Sequence, residues 1–361
     1  MRNRSSNSGR PRKVATIAEV ARLAVVSPAT VSRVLNGDPR VDAGYRERVL
    51  TAVDQLNYRP NRLARHLRKQ QTATIALVVP DITNPHFTEI IKAVEAETYG
   101  AGYHLVVCNT DERADKQATY LDMLAAERVS GAIISPADPS GGEISDLIDH
   151  GIPVVAFDRE MSDSRADAVV ADNVEGARTA ASLLIRAGHR DLFLLSGRAD
   201  VSTGADRLKG FEQAIREAGL ELRYTDAAFR EDAAYDAVAE LLASDRLPTA
   251  FVAANNLMTL GTLRALHEAR VKIPSDVAIV GIDDPPWSAL VDPPLTTVSQ
   301  PVAEMAHDAI SILFERIAGA TDSPHRHVHA FDLQLRGSCG TQLSRGAKAT
   351  TVQNGRKTSS S

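Results

Sequence analysis

Two cysteines, Cys108 and Cys339, are all that 361 residues contain. So few exclude a disulfide framework, and without a C-x-x-C pair they offer no zinc site. Cys108 follows Leu105-Val106-Val107 and reads as a buried strand residue. No stretch of about 18 apolar residues is present to span a membrane. The opening MRNRSSNSGRPRK has no apolar run, so no secretory signal is expected there. The motifs G-x-S-x-G, H-E-x-x-H, G-x-x-x-x-G-K-S/T and G-x-G-x-x-G are also missing. The histidines are scattered and suggest no metal site. These absences predict a cytoplasmic protein with no membrane contact, no cofactor, no metal and no catalytic activity.

Charge is present but unevenly spread. Residues 1–70 carry 15 Lys+Arg against 5 Asp+Glu, and the remainder carries 26 against 41. A head of +10 on a body of −15 places a nucleic-acid footprint at one end, which the overall −5 conceals. The length is too great for one core, so two or three domains are expected.

Residues 16–36 read TIAEVARLAVVSPATVSRVLN. Thr16 can cap a first helix, with Glu19 closing a capping box. Ser27 can cap a second, with Pro28 at its first position, where a missing N–H costs nothing. Val20, Ala21 and Ala24 form one apolar stripe; Val31, Val34 and Leu35 form another. Ala29, Thr30, Ser32, Arg33 and Asn36 remain on the outer face, a shape that can enter a major groove. An amphipathic third helix is predicted over 41–56.

The stretch S-x-x-T-V-S-R-V-L-N, followed by L-N-Y-x-P-N-R-x-A, resembles the LacI/GalR family of bacterial transcription regulators. The likeness is gap-free from Thr16 to Leu67 and looser to Ser338. It implies that residues 28–36 read base edges, with Arg33 the best guanine reader. Thr16 joins the DNA-contacting set. Ser27, Thr30, Ser32, Asn36 and Tyr58 would grip phosphates or position the helix. Residues 61–67 resemble the family's hinge helix, which folds on operator DNA, with Asn61 and Ala64 in contact and Leu67 as a minor-groove wedge. Two positions depart from the pattern. Val25 stands where the turn usually has Gly or Asn, so either the turn is reshaped or a β-branched residue is strained at positive φ. Asp42 replaces a Ser or Thr; it can still cap the third helix.

From Thr72 onward, strand-like runs alternate with helices: 75–79, 104–107, 131–135, 154–157, 168–171, 192–195, 250–253 and 277–281. Alternation of this kind predicts parallel sheets flanked by helices, and so many strands predict two α/β subdomains. The fold class is therefore a small all-α helix-turn-helix domain plus a two-subdomain α/β core. The resemblance implies a periplasmic-binding-protein-like core with subdomain crossings near 172, 294 and 332. The predicted layout is a disordered basic arm over 1–13, the DNA-binding domain over 14–59, and hinge helix and linker over 60–71. The ligand-binding and dimerisation core follows over 72–342, with a disordered tail over 343–361.

Ligand in such a core sits at the carboxyl ends of the strands. Asn84, His86, Phe87, Asp158, Arg159, Arg207, Phe229, Asn255, Asp283 and Gln300 fall there and resemble the sugar-contact positions of ribose-type binding proteins. Asp, Asn and Arg can make paired hydrogen bonds to hydroxyls, while Phe87, Phe229 and Trp287 could wall the ring. His86 departs from an expected aromatic. The expected protein is a homodimeric repressor binding palindromic double-stranded operator DNA. A small effector, a monosaccharide first, would control it through the cleft. Helix faces near 87–99 and 302–317 are candidate interface material. The alternatives are a purine or other metabolite as effector, a corepressor protein, a non-regulatory solute-binding protein, or an enzyme on the same scaffold.

Overall fold

A computed structural model of the chain describes residues 16–35, 38, 40–56, 58, 72–244 and 246–340, the side chain of Ser32 excepted. The chain divides into two compact units at residue 71.

The first unit holds α1 (Ile17–Ala24), α2 (Pro28–Leu35) and α3 (Ala43–Gln55). The Thr16 hydroxyl accepts from the Glu19 amide while the Glu19 carboxylate accepts from the Thr16 amide, so the capping box forms. Ser27 Oγ accepts from the Thr30 amide at 3.1 Å and caps α2. Asp42 caps α3 by accepting from Gly44. Val20, Ala21, Ala24, Val31, Val34, Val49 and Ala52 close one small core. The turn after α1 is not reshaped. Val25 sits at φ 54°, ψ 52°, in the left-handed region. Its N–H bonds Arg22 O, and that of Val26 bonds Ala21 O. This is the Schellman arrangement that glycine normally completes. The strain at Val25 is therefore real, on the order of 1–3 kcal/mol.

The second unit contains two six-stranded sheets. The first is built from β1 (Thr74–Val79), β2 (His104–Asn109), β3 (Gly131–Ile134), β4 (Val154–Phe157), β5 (Asp167–Ala171) and β11 (Arg326–His329). Its order is β11-β5-β4-β3-β1-β2, all parallel. The second is built from β6 (Leu192–Ser196), β7 (Tyr224–Asp226), β8 (Ala250–Ala253), β9 (Ala278–Ile282), β10 (Thr296–Ser299) and β12 (Asp332–Gln334). Its order is β12-β10-β9-β8-β6-β7, parallel except for β12. The central strands are buried along their length, as β-branched and aliphatic runs covered on both faces must be.

The chain passes between sheets after β5, between β10 and α11 (Val302–Ala318), and between β11 and β12. The second passage lies between Ser299 and Val302, which corrects the crossing expected near Pro294. The polar run TTVS of β10 does not stand out as a strand, and the crossing follows it.

Helix α4 (Pro85–Gly100) packs with α11 on the first sheet. Phe87, Ile90 and Val94 meet Met305, Ile310 and Leu313 there. These inward faces build the subunit core, while Tyr99 on the same helix stays 77% exposed. Cys108 and Cys339 are both buried, and neither forms a disulfide among the described residues. Among the described residues, no helix is long and apolar enough to cross a membrane.

Candidate functional site

In the head, Ser27, Pro28, Ala29 and Arg33 are exposed on or beside α2, and Thr30 is half-buried. Ser27 and Thr16 use their hydroxyls as caps, so they position helices whatever else they touch. Tyr58, expected at a phosphate or as a positioning residue, is buried in the head's core. Its ring thus packs against the helices of the head. Asn36, Asn61, Ala64, Leu67 and the side chain of Ser32 lie outside the described residues, as do the basic arm, the hinge and the tail.

In the core, the carboxyl ends of both sheets face one cleft. Asn84, His86 and Phe87 come from the start of α4, and Asp158 and Arg159 follow β4. Arg207 comes from α8 (Ser202–Glu217), Phe229 follows β7, Asn255 follows β8 and Asp283 follows β9. All nine line one pocket. Its internal volume is about 20 Å³, room for a water molecule.

Trp287 and Gln300 are not among the residues lining this pocket. Trp287 packs against the core of the second sheet, which corrects its placement as a wall. Gln300 stands behind the pocket and donates from Nε2 to Asp283 Oδ1 at 2.9 Å. Asp81, Glu112, Thr203 and Leu257 line the pocket and were not anticipated. Thr203 lies one helical turn before Arg207, a signal that could have found it. Glu112 is on a loop and has no such signature.

Four lining residues hold left-handed backbone: Glu112 (φ 57°), Asp158 (φ 62°), Phe229 (φ 60°) and Asp283 (φ 72°). Such conformations cost energy for side-chain-bearing residues and cluster where function over-determines the chain. Gly197 serves the same end, since a Cβ there would overlap the Phe229 ring.

His86 is the hub. Its Nε2 lies 3.2 Å from Asp158 Oδ1 and its Nδ1 3.7 Å from Asp283 Oδ1, with all three residues buried. Burial alone would push the imidazole pKa down. The Asp283 charge and the Asp158 hydrogen bond and charge outweigh it, so the pKa is raised. Burial likewise pushes Asp158 up, but the bond to His86 and its charge, with Arg207 and Arg159 beyond, bring it below the ordinary carboxylate value.

Arg159 forks onto Glu112 at 2.6 and 2.8 Å and lies 5.3 Å above the centroid of Phe229, a contact between the two subdomains. Arg198 reaches the same Glu112 from the second subdomain at 3.1 Å. Arg230 pairs with Asp111 at 3.2 Å, and Asn256 donates to Asn84. Arg207 donates to Asn173 Oδ1 and to the Ala254 carbonyl, both neutral. Asn84 and Asn255 use their oxygens to cap α4 and α10 (Asn256–Glu268).

A basic helix-turn-helix head joined to a two-sheet core with a buried polar cleft defines a ligand-responsive DNA-binding regulator. The comparisons make the class specific. Residues 16–61 match "Bacterial regulatory proteins, lacI family", and residues 181–339 match "Periplasmic binding protein-like domain". The HTH-type transcriptional repressor PurR of Vibrio parahaemolyticus serotype O3:K6 (strain RIMD 2210633) is 37% identical over 309 residues, covering 84% of this chain and 92% of that protein. That of Pasteurella multocida (strain Pm70) is 35% identical over 308 residues, covering 84% and 92%. The lac repressor dimer bound to operator and the anti-inducer ONPF superposes with a TM-score of 0.79 at 26% identity, covering 91% of this chain and 99% of that one. The transcriptional regulator CelR–cellobiose complex gives 0.67 at 32% identity, covering 90% and 99%. A LacI family regulator from Enterococcus faecium with bound ribose gives 0.68 at 29%, covering 73% and 98%. The chain belongs to the LacI family. It is a DNA-binding transcriptional repressor and not an enzyme.

Proposed function

We propose that the protein works in the cytoplasm as a homodimer on a palindromic operator, and that a small ring-shaped effector in the cleft sets its affinity for DNA. The observation that carries this reading is the set of nine lining residues drawn from both subdomains into one buried pocket. An effector held there would bind one relative position of the subdomains better than another, which is what coupling to DNA requires. On α2, Arg33 reads a guanine, with Pro28, Ala29 and Thr30 beside it. Leu67 acts as the wedge between central base steps, with Asn61 and Ala64 on the same segment.

A purine base is the first reading for the effector. Phe87 and Phe229 supply flat apolar walls for a planar ring, Asp283 accepts from ring N–H groups, and Arg207 and Thr203 donate to ring acceptors. The relatives named PurR, which span most of the chain, support it. A monosaccharide is the second reading, because the lining includes four carboxylates and because similar proteins were solved with ribose and cellobiose. Calorimetry with purine bases, pentoses and hexoses separates the two. Binding of a sugar and of no purine would reverse the order; binding of neither would remove both and leave a corepressor protein.

A further inference from the structure

The loop between β2 and α5 (Ala114–Ala126) belongs to the first subdomain but bonds arginines of the second. Asp111 (φ 56°) and Glu112 (φ 57°) are two consecutive left-handed residues, and neither is glycine. Each is energetically costly, so other contacts must hold the loop in this shape. Its backbone is tied to the end of β1: the Thr110 amide donates to Val79 O and the Glu112 amide to Pro80 O. The loop stands beside the pocket, which Asp81, Glu112 and Arg159 line.

Glu112 is placed from its own side. Arg159, also of the first subdomain, forks onto it, and both side chains are buried. From the second subdomain, Arg198 Nη1 donates to the Glu112 carboxylate at 3.1 Å and to its carbonyl at 3.3 Å. Arg230 donates from Nη2 to the Asp111 carbonyl at 3.0 Å and from Nη1 to Asp111 Oδ1 at 3.2 Å, and stands 3.5 Å from Asp81 Oδ2. The groups that meet across the subdomains are solvated: Arg198, Arg230 and Asp111 are 22%, 40% and 49% exposed. Parting these contacts strands no buried charge. Glu112 keeps Arg159, Arg198 keeps Asp200, and Asp81 keeps the amide and hydroxyl of Thr83.

We propose that Asp111 and Glu112 form an electrostatic latch with Arg230 and Arg198, which holds the two subdomains together beside the pocket and opens reversibly. Where the cleft takes an effector, as proposed above, release of the latch is the step that admits it. Salt screens exposed pairs far more than buried ones. Ionic strength therefore acts on the contacts between the subdomains and spares the Arg159 pair that places Glu112 for the latch to re-form.

The test is double electron–electron resonance on the full-length protein, with one nitroxide on each subdomain. Asp146→Cys on α6 (Gly142–Asp149) and Asp236→Cys on α9 (Glu231–Ala243) carry the labels; both positions are exposed, and the two native cysteines are buried. Dilution with unlabelled protein restricts the reading to pairs within one chain. Raising sodium chloride from about 0.1 M to about 1 M shortens the Debye length from about 10 Å to about 3 Å, and should shift the wild-type distance by about 2 Å or more. Arg198→Gln/Arg230→Gln should show the shifted distance already at low salt, with no further response. Arg178→Gln, which removes a surface charge elsewhere on the second subdomain, should keep the wild-type distance and its salt response. Circular dichroism verifies that the variants fold. A wild-type distance unmoved by salt, or a double variant that matches wild type at low salt, would overturn the proposal. The same shift in Arg178→Gln would assign the effect to net charge and overturn it as well. The measurement uses no effector, so failure of the latch and failure of the effector reading are told apart.

Discussion

His86 Nδ1 lies 3.7 Å from Asp283 Oδ1, and the two residues belong to different subdomains. With Asp158 on its other side, one imidazole is held between two buried carboxylates. The pattern of the family led us to expect an aromatic ring here. An ionisable ring makes the stability of this contact depend on protonation.

The pH dependence follows from the directions of the shifts. A raised His86 pKa contributes stability fully below the ordinary imidazole value of about 6.5, lost as pH rises through the raised value. The lowered Asp158 pKa contributes above the ordinary carboxylate value, lost as pH falls through the lowered one. The closed core should therefore be most stable between these limits. Thermal unfolding should show Tm falling on the alkaline side, and His86→Phe should flatten that limb. An unchanged slope in the variant would assign the titration elsewhere.

Arg33→Ala should weaken operator binding by roughly 1–3 kcal/mol and relax preference at one base pair per half-site. Binding should also fall steeply with salt, given the +10 charge of residues 1–70. Competition among operator variants checks this. Undiminished discrimination would remove Arg33 from the base-reading set.

Val25 is 77% exposed, so replacing it loses little packing. Val25→Gly should relieve the left-handed strain and stabilise the head by about 0.5–1 kcal/mol, after the entropy glycine adds to the unfolded chain. Hydrogen exchange of α1 amides in the full-length protein should slow accordingly. Faster exchange would mean that Val25 makes a favourable contact.

The Glu112 cluster predicts an asymmetry. The Arg159 and Glu112 side chains are 3% and 8% exposed, whereas Arg198 is 22% exposed. Glu112→Ala strands a buried guanidinium and should cost about 3 kcal/mol or more in urea unfolding of the core. Arg198→Ala, on the open side, should cost under about 1 kcal/mol. Equal costs would show that the two ion pairs are solvated alike.

The caps and stripes of the head were readable because they are local: Thr16 with Glu19 and Ser27 with Thr30 fold as their spacing requires. The eight apolar runs of the core all became strands, since β-branched and aliphatic residues in short blocks have few other uses in such a pattern. The strands β7, β10, β11 and β12 carry no such apolar run. They are short, polar and mostly peripheral, and pairing rather than composition defines them. Nine of the strand-end residues come together in one pocket, but spacing cannot tell a side chain that faces ligand from one that supports its neighbours. Asn84 and Asn255 spend their oxygens on helix caps, Gln300 supports Asp283 from behind, and Trp287 fills a core. Glu112 depends on a left-handed loop that no pattern announces.

The central claim is that a ligand bound between the subdomains governs operator affinity. Arg207 is the sharpest probe, buried in the pocket with only neutral partners. The measurement is operator binding by fluorescence anisotropy, with and without the purine base or sugar identified by calorimetry, for wild type and Arg207→Ala. For wild type, operator Kd should shift by about tenfold or more, equivalent to roughly 1.4 kcal/mol of coupling. The variant should bind operator with equal affinity but show no shift. A variant that still responds at the same effector concentration would contradict the cleft as the site of control.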